Sequence, residues 1–144
     1  MAATKRFMNW TGVGFTPAGG SLTSITGVSS VSIDPGGTLA KFSGDGDRYS
    51  TTIVNDMNDP KVSVQSADLA AVRANPSGTA GVFVATFNDA KNGTGAGAIT
   101  FTVAGVVDNN AIQGAHRQFG QGTFSLSGWS SDGVTNPISV TVAT

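Results

Sequence analysis

The sequence predicts a mainly β protein: an antiparallel β-sandwich or barrel with one short helix, at about residues 67–74, and a long N-terminal hairpin. Three observations predict it. Apolar and polar residues alternate with a period of two in several short stretches, for example at Val62 and Val64 and at Ile99, Phe101 and Val103. That is the pattern of strands with one buried face. Turn clusters built from Gly, Pro, Asn and Asp separate these stretches. All nine acidic residues are Asp, and Ser and Thr outnumber the charged residues. Such a composition starves helices and suits strands and turns.

In chain order, residues 7–15 disperse Phe7, Met8, Trp10, Val13 and Phe15, and Pro17-Ala18-Gly19-Gly20 makes a turn. In residues 22–33, Val31 and Ile33 alternate with Ser30 and Ser32. The two stretches read as a hairpin or arm within residues 1–34. Asp34-Pro35-Gly36-Gly37 is the next turn, with Pro presetting φ and Gly free to take positive φ. Residues 38–42 form a short strand, 43–47 a loop and 49–54 a β-branched strand. A turn over residues 55–60 leads to the strand 61–65.

The period changes at Ser66, which reads as an N-cap with Asp68 in the first turn. Leu69 and Val72 lie three apart, alanines fill the stretch and Pro76 ends it. So short a helix must dock on a sheet. Residues 81–88 are apolar on both faces, which predicts cover on both sides. A connection over 88–97 leads to the closing unit, residues 106–142 with the strand that feeds them. Strands 98–108, 122–129 and 137–142 are joined by two polar returns. The first holds Asn109, Asn110, Gln113, His116, Arg117 and Gln118, and the second is Ser130-Ser131-Asp132-Gly133. Three such strands predict a meander. No repeat or linker divides the 144 residues, so one domain is expected over 1–144.

The net charge of -1 supplies no basic footprint for gripping nucleic acid. Charged residues make up 12 % of the chain, about half the usual ~25 %. Two readings follow: a surface covered by partners, or a Ser/Thr-coated β protein. Without cysteine there is neither a disulfide framework nor thiolate chemistry. No apolar run approaches a membrane span, so no membrane partner is expected.

Candidate sites lose their chemistry on inspection. Gly93-Thr94-Gly95-Ala96-Gly97-Ala98 matches a loose dinucleotide pattern, but a strand follows where the pyrophosphate needs a helix N-terminus. Asp45 and Asp47 lack the further ligands of a calcium loop. His116 is the sole histidine. It has neither a nucleophile elbow nor partners for a zinc site. Trp10, Trp129 and Tyr49 could stack on sugars, which keeps a carbohydrate-binding module open. No catalytic set, cofactor or metal is expected, and the chain does not read as an enzyme.

Four stretches, taken in order, resemble the bacteriophage tail tube (major tail) protein family. They are Ile25-Thr26-Gly27-Val28 leading to Val31-Ser32-Ile33-Asp34; Gly44-Asp45-Gly46-Asp47-Arg48-Tyr49-Ser50-Thr51; Val62-Ser63-Val64-Gln65-Ser66-Ala67-Asp68-Leu69; and His116-Arg117-Gln118-Phe119-Gly120 with Ser130-Ser131-Asp132-Gly133-Val134-Thr135-Asn136-Pro137. The resemblance implies a virion protein whose rings, usually hexameric, stack into a hollow tube for DNA ejection. It also implies tail partners: a sheath if the tail is contractile, a baseplate and a tail terminator. DNA would pass through transiently, with Asp side chains facing the lumen. Assembly would take place in the host cytoplasm. A capsid decoration protein is the alternative. The candidate subunit-interface residues are Trp10 and Phe15 on the N-terminal arm, Asp47 and Arg48 in one loop, and His116, Arg117 and Asp132 in the closing returns. Arg48 and Arg117 are expected to pair with Asp across the interface.

Overall fold

The computed structural model describes residues 8–89 and 98–142. The described residues are mainly strand: β1 (Met8–Pro17), β2 (Thr23–Ser24), β3 (Val28–Asp34), β4 (Gly37–Phe42), β5 (Thr52–Asn58), β6 (Lys61–Ser66), β7 (Ala80–Asp89), β8 (Ile99–Gln113), β9 (Gln121–Gly128) and β10 (Ile138–Val142). One helix, α1 (Leu69–Arg73), lies between β6 and β7. All pairings are antiparallel. The main sheet runs β2-β1-β7-β8-β9-β6-β3, and β10 joins the first half of β8. This is the expected antiparallel β class with one short helix.

β8 holds the fold together. Its first half pairs with β7 and β10, and from Gly105 onward it pairs with β9, on both sides of a bulge between Val107 and Asn110. A bulge bends and twists the strand that carries it. The sheet therefore folds over, and side chains of β1 and β7 meet those of β9. Phe124 lies with its ring centroid 5.5 Å from Phe15 and 6.1 Å from Phe83. Val13, Val62, Val64, Val103, Val107 and Leu126 complete the centre of the core. The alternation read at Val62 and Val64 holds, since both are buried while Lys61 and Gln65 are exposed.

The N-terminal hairpin requires correction. β1 pairs with β2 only at Gly14↔Ser24 and Phe15↔Thr23, and otherwise with β7 from Met8↔Asp89 to Pro17↔Gly81. β3 pairs with β6 instead. Every strand offers the same hydrogen-bonding groups, so adjacency in sequence does not choose the partner. The meander is also corrected: β10 returns to β8, not β9. Asn109, Asn110 and Gln113 belong to β8, so the polar return shortens to residues 114–120. β5 starts at Thr52 and runs through Asn58, leaving Tyr49 in the preceding loop and residues 55–58 in a strand. β7 is fully covered on one side only, with Phe83, Ala85 and Phe87 buried, while on the other Val84 is half-buried and Val82 exposed. The connection 90–97, with Gly93–Gly97 of the glycine-rich pattern, lies outside the described residues; a strand does follow at Ile99.

α1 is shorter than expected, and its cap differs. Asp68 is the N-cap, accepting from the Ala71 amide at 3.2 Å. It also accepts from the Thr26 hydroxyl at 2.9 Å and the Thr26 amide at 3.3 Å. The hydroxyl of Ser66, the expected cap, accepts from the Asp68 amide at 2.9 Å and donates to the Thr26 carbonyl. Only Val72 of the helix is buried. It rests on Gly122, where an added Cβ would lie 3.0–3.2 Å from its side chain.

Candidate assembly surfaces

The two-stranded sheet β4-β5 stands apart from the main sheet. Cross-strand pairs place Leu39 opposite Asn55 and Lys41 opposite Ile53 on one face. Thr38 opposite Met57, Ala40 opposite Val54, and Phe42 opposite Thr52 occupy the other. Apolar side chains therefore stand on both faces. They are open to solvent: Phe42 is 63 % exposed and Val54 53 %. Among the described residues, both outer strand edges are unpaired as well. An isolated two-stranded hairpin is marginal in water, and unpaired apolar edges invite pairing with another chain.

The base of this hairpin is built tightly. The chain leaves the body at Asp34 and returns at Lys61, which are register partners. Gly36 takes φ 64° and accepts from the Asp59 amide at 2.7 Å, while its own amide donates to the Asp34 carboxylate at 2.9 Å. A side chain at Gly36 would collide with the Asp59 backbone.

Beside that base lies the β9–β10 connection, residues 129–137, organised by Asp132. Its carboxylate accepts from the Ser130 hydroxyl (2.8 Å), the Val134 amide (2.8 Å), and the Thr135 amide (2.7 Å) and hydroxyl (2.6 Å). These bonds, that of the Thr135 hydroxyl first, hold its carboxyl far below the usual carboxylate range. Asp68 is lowered too, chiefly by the Thr26 hydroxyl. Hairpin base and connection enclose a hollow of about 560 Å³, with Pro35, Met57, Pro60, Val134 and Pro137 among its lining.

The β8–β9 loop, residues 114–120, sits at the other end of the body. It leaves at Gln113↔Gln121, whereas the hollow adjoins Gly128 at the far end of β9. Seven strand steps separate the two, roughly 24 Å. The Gln118 amide donates to the Ala115 carbonyl at 3.1 Å. Within that turn Arg117 takes φ 63°, the only described non-glycine residue at positive φ. The conformation costs a residue with a Cβ roughly 1 kcal/mol or more. Phe119 follows and is 98 % exposed.

The candidate residues therefore separate. Phe15 is not at the surface but fully buried; strand alternation turns it inward with Val13, onto Phe124. Trp10 is half-buried, edge-on to Phe87 at 5.2 Å. Asp47 and Arg48 are exposed in the β4–β5 loop, where the Asp47 carboxylate accepts from the Gly44 amide at 2.9 Å. His116 and Arg117 are exposed at one end of the body, and Asp132 is exposed at the other. The closing returns thus do not form one cluster. Among the described residues, the only ion pair is Lys61 with Asp59 at 3.9 Å, and no three His, Asp or Glu side chains group as a metal would need. The aromatic trio is not brought together either. Trp10 lines an apolar hollow with Val31, Ile33 and Phe101, Trp129 lines another, and Tyr49 belongs to the hairpin loop.

Sequence reasoning missed the uncovered hairpin, Phe119 and Val134. A signal for the first was present: two short strands between the turns Asp34-Pro35-Gly36-Gly37 and Asn58-Asp59-Pro60, with apolar residues at both parities. No helix among the described residues is long and apolar enough to cross a membrane. No protein-family model matches the chain, and no curated protein matches it.

Proposed function

We propose that this chain is a structural virion protein, a bacteriophage tail tube subunit, that self-assembles into stacked rings through which DNA leaves the capsid. The observation that carries the reading is the β4-β5 hairpin, apolar on both faces and covered on neither. Such a hairpin finds its cover in another copy of the chain, through apolar burial and through pairing of its free edges. The order of motifs that resembles the tail tube family supports the tube in particular, with rings expected to be hexameric and the other tail proteins as partners.

The outward face of β3, β6 and β9 fits a conduit. Between Asp34 and Lys61 at one end and Gln121 at the other it presents Ser30, Ser32, Ser63, Gln65, Thr123 and Ser125. Gln121 ties it together by donating to Ser29 at 3.2 Å and Gln65 at 3.4 Å. Between those ends the surface is hydroxyl and amide, and its one cation, Lys61 at the margin, already meets Asp59, so passing phosphates find little to hold. On this reading the lumen is neutral, rather than lined by Asp.

Sedimentation velocity and negative-stain electron microscopy of the purified chain test the proposal. Rings or hollow filaments are expected. A monomer at all concentrations that binds only to a capsid lattice would replace the tube with a decoration protein.

A further inference from the structure

The two ends of the body differ in a complementary way. At one end Phe119 stands clear of its own chain, beside Arg117, in a loop that holds no carboxylate. At the opposite end is the 560 Å³ hollow, where Pro35, Met57, Pro60 and Pro137 offer apolar wall among asparagine and hydroxyl side chains. It has ample room for a phenyl ring, since one water occupies only ~30 Å³. Asp34, Asp59 and Asp132 directly adjoin lining residues in sequence, and the one neighbouring cation, Lys61, already meets Asp59. The rim is therefore acidic and the loop basic.

We propose that the β8–β9 loop of one copy seats in this hollow of a second copy, with Phe119 as the apolar knob and Arg117 against the acidic rim. The inference rests on the self-assembly proposed above and specifies one of its contacts. Knob and hollow lie at opposite ends of one chain, so they cannot meet within a protomer. The contact is heterologous: each copy uses one surface to give and a different one to receive. Repetition closes into a ring if the rotation closes and grows as an open stack if it does not. The left-handed backbone of Arg117 fixes the turn that presents Phe119, which gives the strained residue a role in the contact.

Disulfide capture is the test, and the absence of native cysteine makes it clean. The double variant Gln118→Cys/Val134→Cys, which keeps the Phe119 ring, should give a ladder of covalent oligomers on mild oxidation. Each single variant should give dimers at most. Phe119→Ser should raise the concentration needed for assembly at least tenfold and leave the thermal unfolding midpoint unchanged, because the ring touches little of its own chain. Arg117→Asp should also impair assembly, and adding Asp59→Arg should restore it. If the wild type assembles, but the double variant gives no ladder and Phe119→Ser assembles normally, the knob-in-hollow contact is overturned while self-assembly stands. A wild type that never associates would overturn both.

Discussion

Replacing Phe42 and Val54 together by Ser puts the hairpin's role on a quantitative footing. Both belong to the same hairpin face, and more than half of each remains open to solvent. Full burial of a large apolar side chain is worth about 1.5–3 kcal/mol. Phe42 is 63 % exposed and Val54 53 % exposed, so that fraction of each value remains to be gained on association. The sum is roughly 1.7–3.5 kcal/mol, or about 20- to 300-fold in an association constant at about 1.4 kcal/mol per decade. Sedimentation across a concentration series would read the shift, with circular dichroism following the fold in parallel. The assembly midpoint should rise by that factor while the unfolding midpoint of the protomer stays within a few degrees. Unchanged assembly would refute the reasoning. So would a large loss of protomer stability, which would mean that the face is already buried at home.

Other perturbations separate fold from assembly. Gly36→Ala should distort the hairpin base against Asp59 and impair assembly more than protomer stability, read by the same pair of measurements. Phe124→Ala should cost about 3–5 kcal/mol in denaturant unfolding, because its ring is fully buried against Phe15 and Phe83. Asp68→Ala should cost about 1 kcal/mol as a lost N-cap, visible as earlier exchange of the amides of residues 69–73. The folded pKa values of Asp68 and Asp132 are depressed, so their contributions are fully present above the unfolded value of about 3.9 and are lost as pH falls through the folded values. In an NMR acid titration the Val134 and Thr135 amides should stay unmoved from neutrality to pH ~4 and shift only well below it. Movement between pH 7 and 5 would contradict the four-bond cage around Asp132.

Local sequence patterning was enough for the β class, the turns that bound most strands, the inward face of residues 61–65 and the helix before Pro76. These are local properties. A side-chain period of two, a proline's fixed φ and a run of alanines act on their own neighbourhood, and they survive whatever the strand pairs with. Strand partners, and which loops share an end of the body, depend on how the whole chain folds. Phe15 looked like part of an arm until β7, some seventy residues away, claimed β1 and turned it onto Phe124. His116, Arg117 and Asp132 looked like one cluster until β9 set them at opposite ends. Leu39, Phe42 and Ile53 looked like ordinary strand residues, because alternation tells which side chains share a face but not whether anything covers it. Every strand edge carries the same amides and carbonyls, so the choice among edges falls to how the whole apolar surface can close. In this chain the hairpin is left with apolar side chains open on both faces, and that gap carries its functional reading.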